Sequence, residues 1–188
     1  MRGVSAVLHD FEPVDEIAII TKSLGSYMTY DTLLKMSRGE RILEPPTYSA
    51  DLVRAAIGRT NYVYMLANQL PLLQLSEVSN PLSEKRAPVE SLGEIGRIRM
   101  QNKPKARPEG VPVALHLVAF SDPNDLLTYP LDPSDVTGGI VYSNVIITVE
   151  PSAILGVFAW PMTAHGGHDK SKRVMDLLAF GHHVNRAQ

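Results

Sequence analysis

Ile17-Ala18-Ile19-Ile20-Thr21-Lys22-Ser23-Leu24-Gly25-Ser26-Tyr27-Met28 is the stretch on which the reading of this chain turns. A short apolar, β-branched run leads straight into a serine, and a small residue follows two positions later. From there the apolar pattern changes to one compatible with a helix. The spacing predicts a buried strand over residues 14–21 and a helix over 24–36, with Leu24, Met28, Leu33, Leu34 and Met36 on or near one face. A sharp turn between such elements lifts the serine hydroxyl above the end of a sheet, whereas a serine that only caps a helix needs no strand before it.

The remaining segments extend the alternation. Residues 5–11 read as a short helix. Glu44-Pro45-Pro46 breaks the chain, and Ser49 or Asp51 is placed to cap a second helix running to Ile57 and stopped by Gly58. Tyr62–Ala67 is aromatic and β-branched enough for a strand. Val113–Phe120 is a strong buried-strand signal, Asn144–Val149 is another, and Val174–Phe180 is an amphipathic helix. Strands alternating with helices predict an α/β fold with a mainly parallel sheet. Residues 79–112 stand apart. Prolines and glycines interrupt them, and Arg97, Arg99, Lys103, Lys105 and Arg107 carry a basic run without interleaved aromatics. They read as a loop-rich insertion at about 79–112 in a single domain, 1–188, not as a nucleic-acid segment.

Composition narrows the function classes. The 188 residues are 44% hydrophobic with a formal net charge of −2, which suits one ordinary core and favours neither nucleic acid nor an anionic membrane. No run approaches the roughly 18 apolar residues of a membrane span. The chain has no cysteine, which removes disulfides, thiol catalysis and cysteine-ligated zinc. Asp10, Glu12, Asp15 and Glu16 near the start are unlike a secretory signal, so a cytoplasmic location is expected.

In parallel sheets, reactive residues lie just beyond the C-terminal ends of the strands. Ser23 follows the first strand, Ser121-Asp122-Pro123-Asn124-Asp125-Leu126-Leu127 follows Phe120, and Thr163-Ala164-His165-Gly166-Gly167-His168 follows the 144–149 segment. The order is serine, acid, histidine. A serine becomes a useful nucleophile beside a histidine base, and the base needs a carboxylate to hold its tautomer. Asp125 and Asp122 are both placed to be that acid, and His165 and His168 are both placed to be the base. His116, inside an apolar strand, reads as a packed residue, and His182 and His183 as a cationic helix end. His165, His168 and Asp169 make a poor metal site, and no nucleotide-binding glycine loop is present, so no metal or cofactor is expected.

These features resemble the C-terminal half of an α/β-hydrolase, a serine esterase or lipase-like protein. Thr21-Lys22-Ser23-Leu24-Gly25 stands against the family's G-x-S-x-G nucleophile elbow, with Thr21 in place of the first glycine. The resemblance implies Ser23 as nucleophile, Asp125 as orienting acid, His165 as general base and the Leu24 N–H as an oxyanion-hole donor, with Asp122 and His168 as alternatives. It also implies a small-molecule or lipid ester as substrate. The family's sheet has about eight strands, with the serine after the fifth and a second oxyanion donor after the third. The segments 14–21, 62–67, 113–120 and 144–149 would match its last four. A partial, truncated domain lacking the N-terminal strands is therefore expected, weakly active or inactive. Its open sheet edge offers a route to self-association. The alternative is a non-catalytic relative serving as a binding or interaction protein.

Overall fold

The computed structural model describes residues 16–40, 42, 48–73, 88–104, 114–149 and 161–180. The short helix expected at 5–11 and the His182–His183 pair lie outside them. Among the described residues four strands, β1 (Ile17–Lys22), β2 (Thr60–Leu66), β3 (Leu115–Ser121) and β4 (Ile140–Ile146), form one sheet in the order β1-β2-β3-β4. All three pairings are parallel, and Ile19, Val63, Leu117 and Tyr142 lie level across the sheet. The fold is α/β. The residues just beyond all four strands consequently gather at one edge. The structure differs from expectation in that β1 and β3 are not neighbours, because β2 lies between them.

Helices cover both faces. On one side α1 (Gly25–Ser37), α2 (Ala50–Arg59) and α3 (Pro88–Asn102) close over Val63, Met65, Leu115, Leu117 and Ala119. On the other, α5 (Lys172–Phe180) brings Val174, Leu177 and Leu178 against Phe120, Val118 and Val145. The short helix α4 (Pro161–Gly167) sits between β4 and α5 in the chain. The central strands β2 and β3 fully bury one face and half-bury the other at Tyr62, Tyr64, His116 and Val118, which is why they read as near-continuous apolar runs. The buried stripe of α1 is Tyr30, Leu33, Leu34 and Ser37, at the spacing of one helical face. Leu24 and Met28, expected on that face, are exposed. Ser49 caps α2 by accepting the Leu52 N–H at 3.1 Å, but Gly58 does not stop the helix, which continues to Arg59.

Two further expectations are corrected. The fourth strand starts at Ile140 rather than Asn144 and ends at Ile146. It is an edge strand with alternating burial: Val141 and Ser143 face outward, and Asn144, half-buried, accepts from the Ser121 hydroxyl at 3.1 Å, so two polar residues in mid-strand mask its apolar period. The 79–112 span is not merely loop: residues 88–102 form a helix whose Leu92, Ile95 and Arg99 are buried. The Arg99 guanidinium donates to the Thr60 carbonyl at 2.6 Å and to Asn61 Oδ1 at 2.9 Å. Its glycines are contact points, not breaks. A Cβ at Gly93 would meet Thr137 Oγ1 at 2.5 Å, and one at Gly96 would meet the Gly138 carbonyl oxygen at 2.5 Å. Residues 79–87 and 105–112 lie outside the described residues.

Candidate active site

Ser23 sits between β1 and α1 with φ +56°, in the left-handed region that non-glycine residues rarely occupy. Such a conformation costs about 1–3 kcal/mol and persists only where surrounding contacts enforce it. Four contacts do so here. The Ser23 N–H donates to the Leu66 carbonyl at the end of β2 (2.8 Å), and the Ser26 N–H donates back to the Ser23 carbonyl (3.2 Å). The Thr21 hydroxyl, buried, lies 2.8 Å from the Ser26 hydroxyl and donates to the Tyr64 carbonyl at 3.1 Å. A threonine at this position is thus a strut between the elbow and the helix start. A Cβ at Gly25 would meet nothing within 4 Å, so space does not require glycine there.

The acid loop follows β3. Asp122 and Asp125 are both buried, yet they face different groups. One oxygen of Asp122 accepts from the Asn124 N–H at 2.9 Å and the Asn124 amide at 3.1 Å. The other accepts the Val149 N–H at 2.7 Å, tying this loop to the chain leaving β4. Asp122 is therefore saturated by its own loop and by Val149. Asp125 Oδ1 accepts the Leu127 N–H at 3.0 Å, which leaves Oδ2 free to face inward.

His165, on α4, meets that oxygen. Its Nδ1 lies 2.7 Å from Asp125 Oδ2 and its Nε2 lies 2.9 Å from Ser23 Oγ. The carboxylate can only accept, so Nδ1 carries the proton and Nε2 is left to accept from the serine hydroxyl. Serine, imidazole and carboxylate thus converge in series, from the turn after β1, from α4 and from the loop after β3. The positions lie 142 and 40 residues apart along the chain. Of the residues singled out in the sequence, Ser23, His165 and Asp125 come together, and Asp122 does not reach the imidazole.

His168 lies behind this series and is fully buried. It accepts the Ala67 N–H at Nδ1 (3.3 Å), and its Nε2 is 3.6 Å from Asp125 Oδ2. Burial pushes its pKa below 6.5, with Asp125 and Asp122 opposing and His165 and Lys22 reinforcing the shift. His168 is held neutral and cannot reach Ser23 while His165 occupies the inner place. His116 is half-buried, its ring 5.3 Å from that of Tyr62.

Sequence reasoning missed two parts. Lys22 Nζ bonds Asp169 at 2.6 Å and the Gly166 carbonyl at 3.0 Å, tying the residue before the serine to the residue after the histidine. The ion pair holds the Asp169 carboxyl below its ordinary range. Ala67, at φ +52°, turns the chain after β2. An alanine gives no sequence sign of that conformation. Among the described residues no group of three or more histidines and carboxylates has metal-holding geometry, and no helix is long and apolar enough to cross a membrane.

Neither protein-family models, nor curated proteins, nor solved structures give a match to this chain. The site therefore stands on its own geometry.

Proposed function

We propose that this protein is a serine hydrolase acting on carboxylic esters of small molecules or lipids, with an α/β-hydrolase-like arrangement of its site. The observation that carries the reading is His165, bridging Ser23 Oγ at 2.9 Å and Asp125 Oδ2 at 2.7 Å. Support comes also from the left-handed serine between a parallel strand and a helix, and from the placement of acid and base after β3 and β4.

In this reading His165 Nε2 takes the Ser23 proton as the oxygen attacks the ester carbonyl, and Asp125 stabilises the imidazolium that forms. The proton then passes from His165 to the departing alkoxide, leaving an acyl-serine. A water deprotonated by the same nitrogen attacks the acyl carbon, and Ser23 leaves with the proton returned. The Leu24 N–H, which meets no backbone acceptor among the described residues, is the donor proposed for the oxyanion. Loss of one such donor costs about 10²–10³ in rate, so slow turnover is expected if Leu24 acts alone.

The test is hydrolysis of short p-nitrophenyl esters by the purified chain beside Ser23→Ala, with a fluorophosphonate as a probe of the nucleophile. Turnover or labelling that disappears in Ser23→Ala supports the reading. Equal background in both would favour a non-catalytic protein.

A further inference from the structure

The peptide unit joining Leu66 to Ala67 is bonded at both ends. Its carbonyl accepts the Ser23 N–H at 2.8 Å, and its N–H donates to His168 Nδ1 at 3.3 Å. The opposite nitrogen of His168 lies 3.6 Å from Asp125 Oδ2. Asp125 leads to His165, and His165 leads back to the Ser23 hydroxyl. The contacts form a closed circuit: serine backbone, peptide plane, buried imidazole, carboxylate, second imidazole, serine side chain.

We infer that His168 is a positioning residue that fixes the Asp125 carboxylate, and through it the tautomer of His165, relative to the elbow; this rests on the triad reading above. Nδ1 of His168 accepts a proton from a backbone amide, so in the neutral ring the proton must sit on Nε2. That N–H is fully buried and has no hydrogen-bond partner among the described residues, and the acid's inner oxygen is the anion before it. The separation exceeds a hydrogen bond, so the contact acts by directing a dipole at the carboxylate rather than by sharing a proton. One oxygen then faces two imidazoles, one that would take the serine proton and one held neutral. The peptide plane couples the height of the elbow to the same group. The contacts of His168 are with Ala67 and Asp125, so its effect is on alignment, where a displacement of about 1 Å can cost 10²-fold in rate.

Glutamine can reproduce both contacts, its carbonyl accepting from Ala67 and its amide facing Asp125, whereas phenylalanine fills the volume and provides neither. The experiment compares wild type, His168→Phe and His168→Gln by ring ¹⁵N NMR of His165 and by the rate of fluorophosphonate labelling. The expected result is a single Nδ1-protonated His165 tautomer in wild type and His168→Gln. In His168→Phe a mixture is expected, with labelling slowed about tenfold or more. A folded His168→Phe protein with the wild-type tautomer and labelling rate overturns the inference. If that variant does not fold, Asp125→Asn decides: the His168 Nε2–H signal shifts if the two groups face each other and stays in place if they do not. The tautomer readout needs no turnover. A protein unable to hydrolyse any ester that still shows the tautomer change would sink the hydrolase reading and leave the positioning role standing.

Discussion

The Ser23 amide donates to the Leu66 carbonyl at 2.8 Å, so the candidate nucleophile is strapped by its backbone to the strand beside its own. That bond helps to hold Ser23 at φ +56°, where an L side chain is crowded. Ser23→Gly is therefore expected to fold more stably than Ser23→Ala, by about 1 kcal/mol, because glycine occupies this region without steric cost. Neither variant should take up a fluorophosphonate. Thermal melts of the two, side by side, check the prediction; an alanine variant at least as stable as glycine would show that the elbow is unstrained.

The two aspartates of the 122–128 loop should separate by phenotype. Asp125→Asn keeps the Leu127 contact but presents the wrong partner to His165, and labelling of Ser23 should slow by about 10³–10⁴ with the fold retained. Asp122→Ala removes the acceptor of the Val149 and Asn124 bonds, and should cost about 1–3 kcal/mol of stability instead. Labelling kinetics and denaturant melts on both variants measure this. The reverse pattern would make Asp122 the acid.

The convergence of Ser23, Asp125 and His165 was legible because Ser23 and Asp125 follow apolar runs at strand ends and His165 comes after the last strand segment, and a parallel sheet brings such positions to one edge whatever their separation. The residues left both acids open and only the resemblance implied Asp125; in the structure Asp122 is occupied by its own turn and by Val149. What escaped the sequence was long-range contact that single residues do not announce. The α3 glycines looked like breaks, but Gly96 is small because the Gly138 carbonyl lies against it. The edge strand β4 carries Ser143 and Asn144 in its middle, which hid its continuity with Ile140–Tyr142. Leu24 and Met28 looked like core residues, yet the stripe that packs is turned toward Tyr30 and Leu33. The Leu66–Ala67 peptide contributes only backbone atoms, which leave no mark on the amino-acid sequence.

Gly96→Leu should be poorly tolerated. Its Cβ would lie 2.5 Å from the Gly138 carbonyl oxygen and 2.7 Å from Ile140 Cγ1, so α3 must move off the start of β4. A loss of about 1–3 kcal/mol is expected in denaturant unfolding. A stability equal to wild type would mean that α3 does not pack on residues 138–140.

Acidification should reveal His168. Burial lowers its pKa in the folded protein, Asp125 and Asp122 oppose, and His165 and Lys22 add to the lowering. The unfolded chain then binds the proton first as pH falls, so stability drops below about pH 6.5 and is fully present above it. Asp169, lowered by Lys22, adds a loss in the same direction at lower pH, below its ordinary 3.8. Melting temperatures between pH 7.5 and 5 should fall more steeply in wild type than in His168→Gln. Parallel profiles would mean that His168 does not titrate differently in the folded and unfolded chains.

The most direct measurement of the central claim is intact-mass and peptide-mapping analysis after exposure to a fluorophosphonate, for wild type, Ser23→Ala and His165→Ala. The triad reading predicts a single adduct on Ser23 in wild type, none in Ser23→Ala, and labelling slowed by at least about 10³ in His165→Ala. Adducts formed equally by all three proteins, or mapped to a residue other than Ser23, would contradict it.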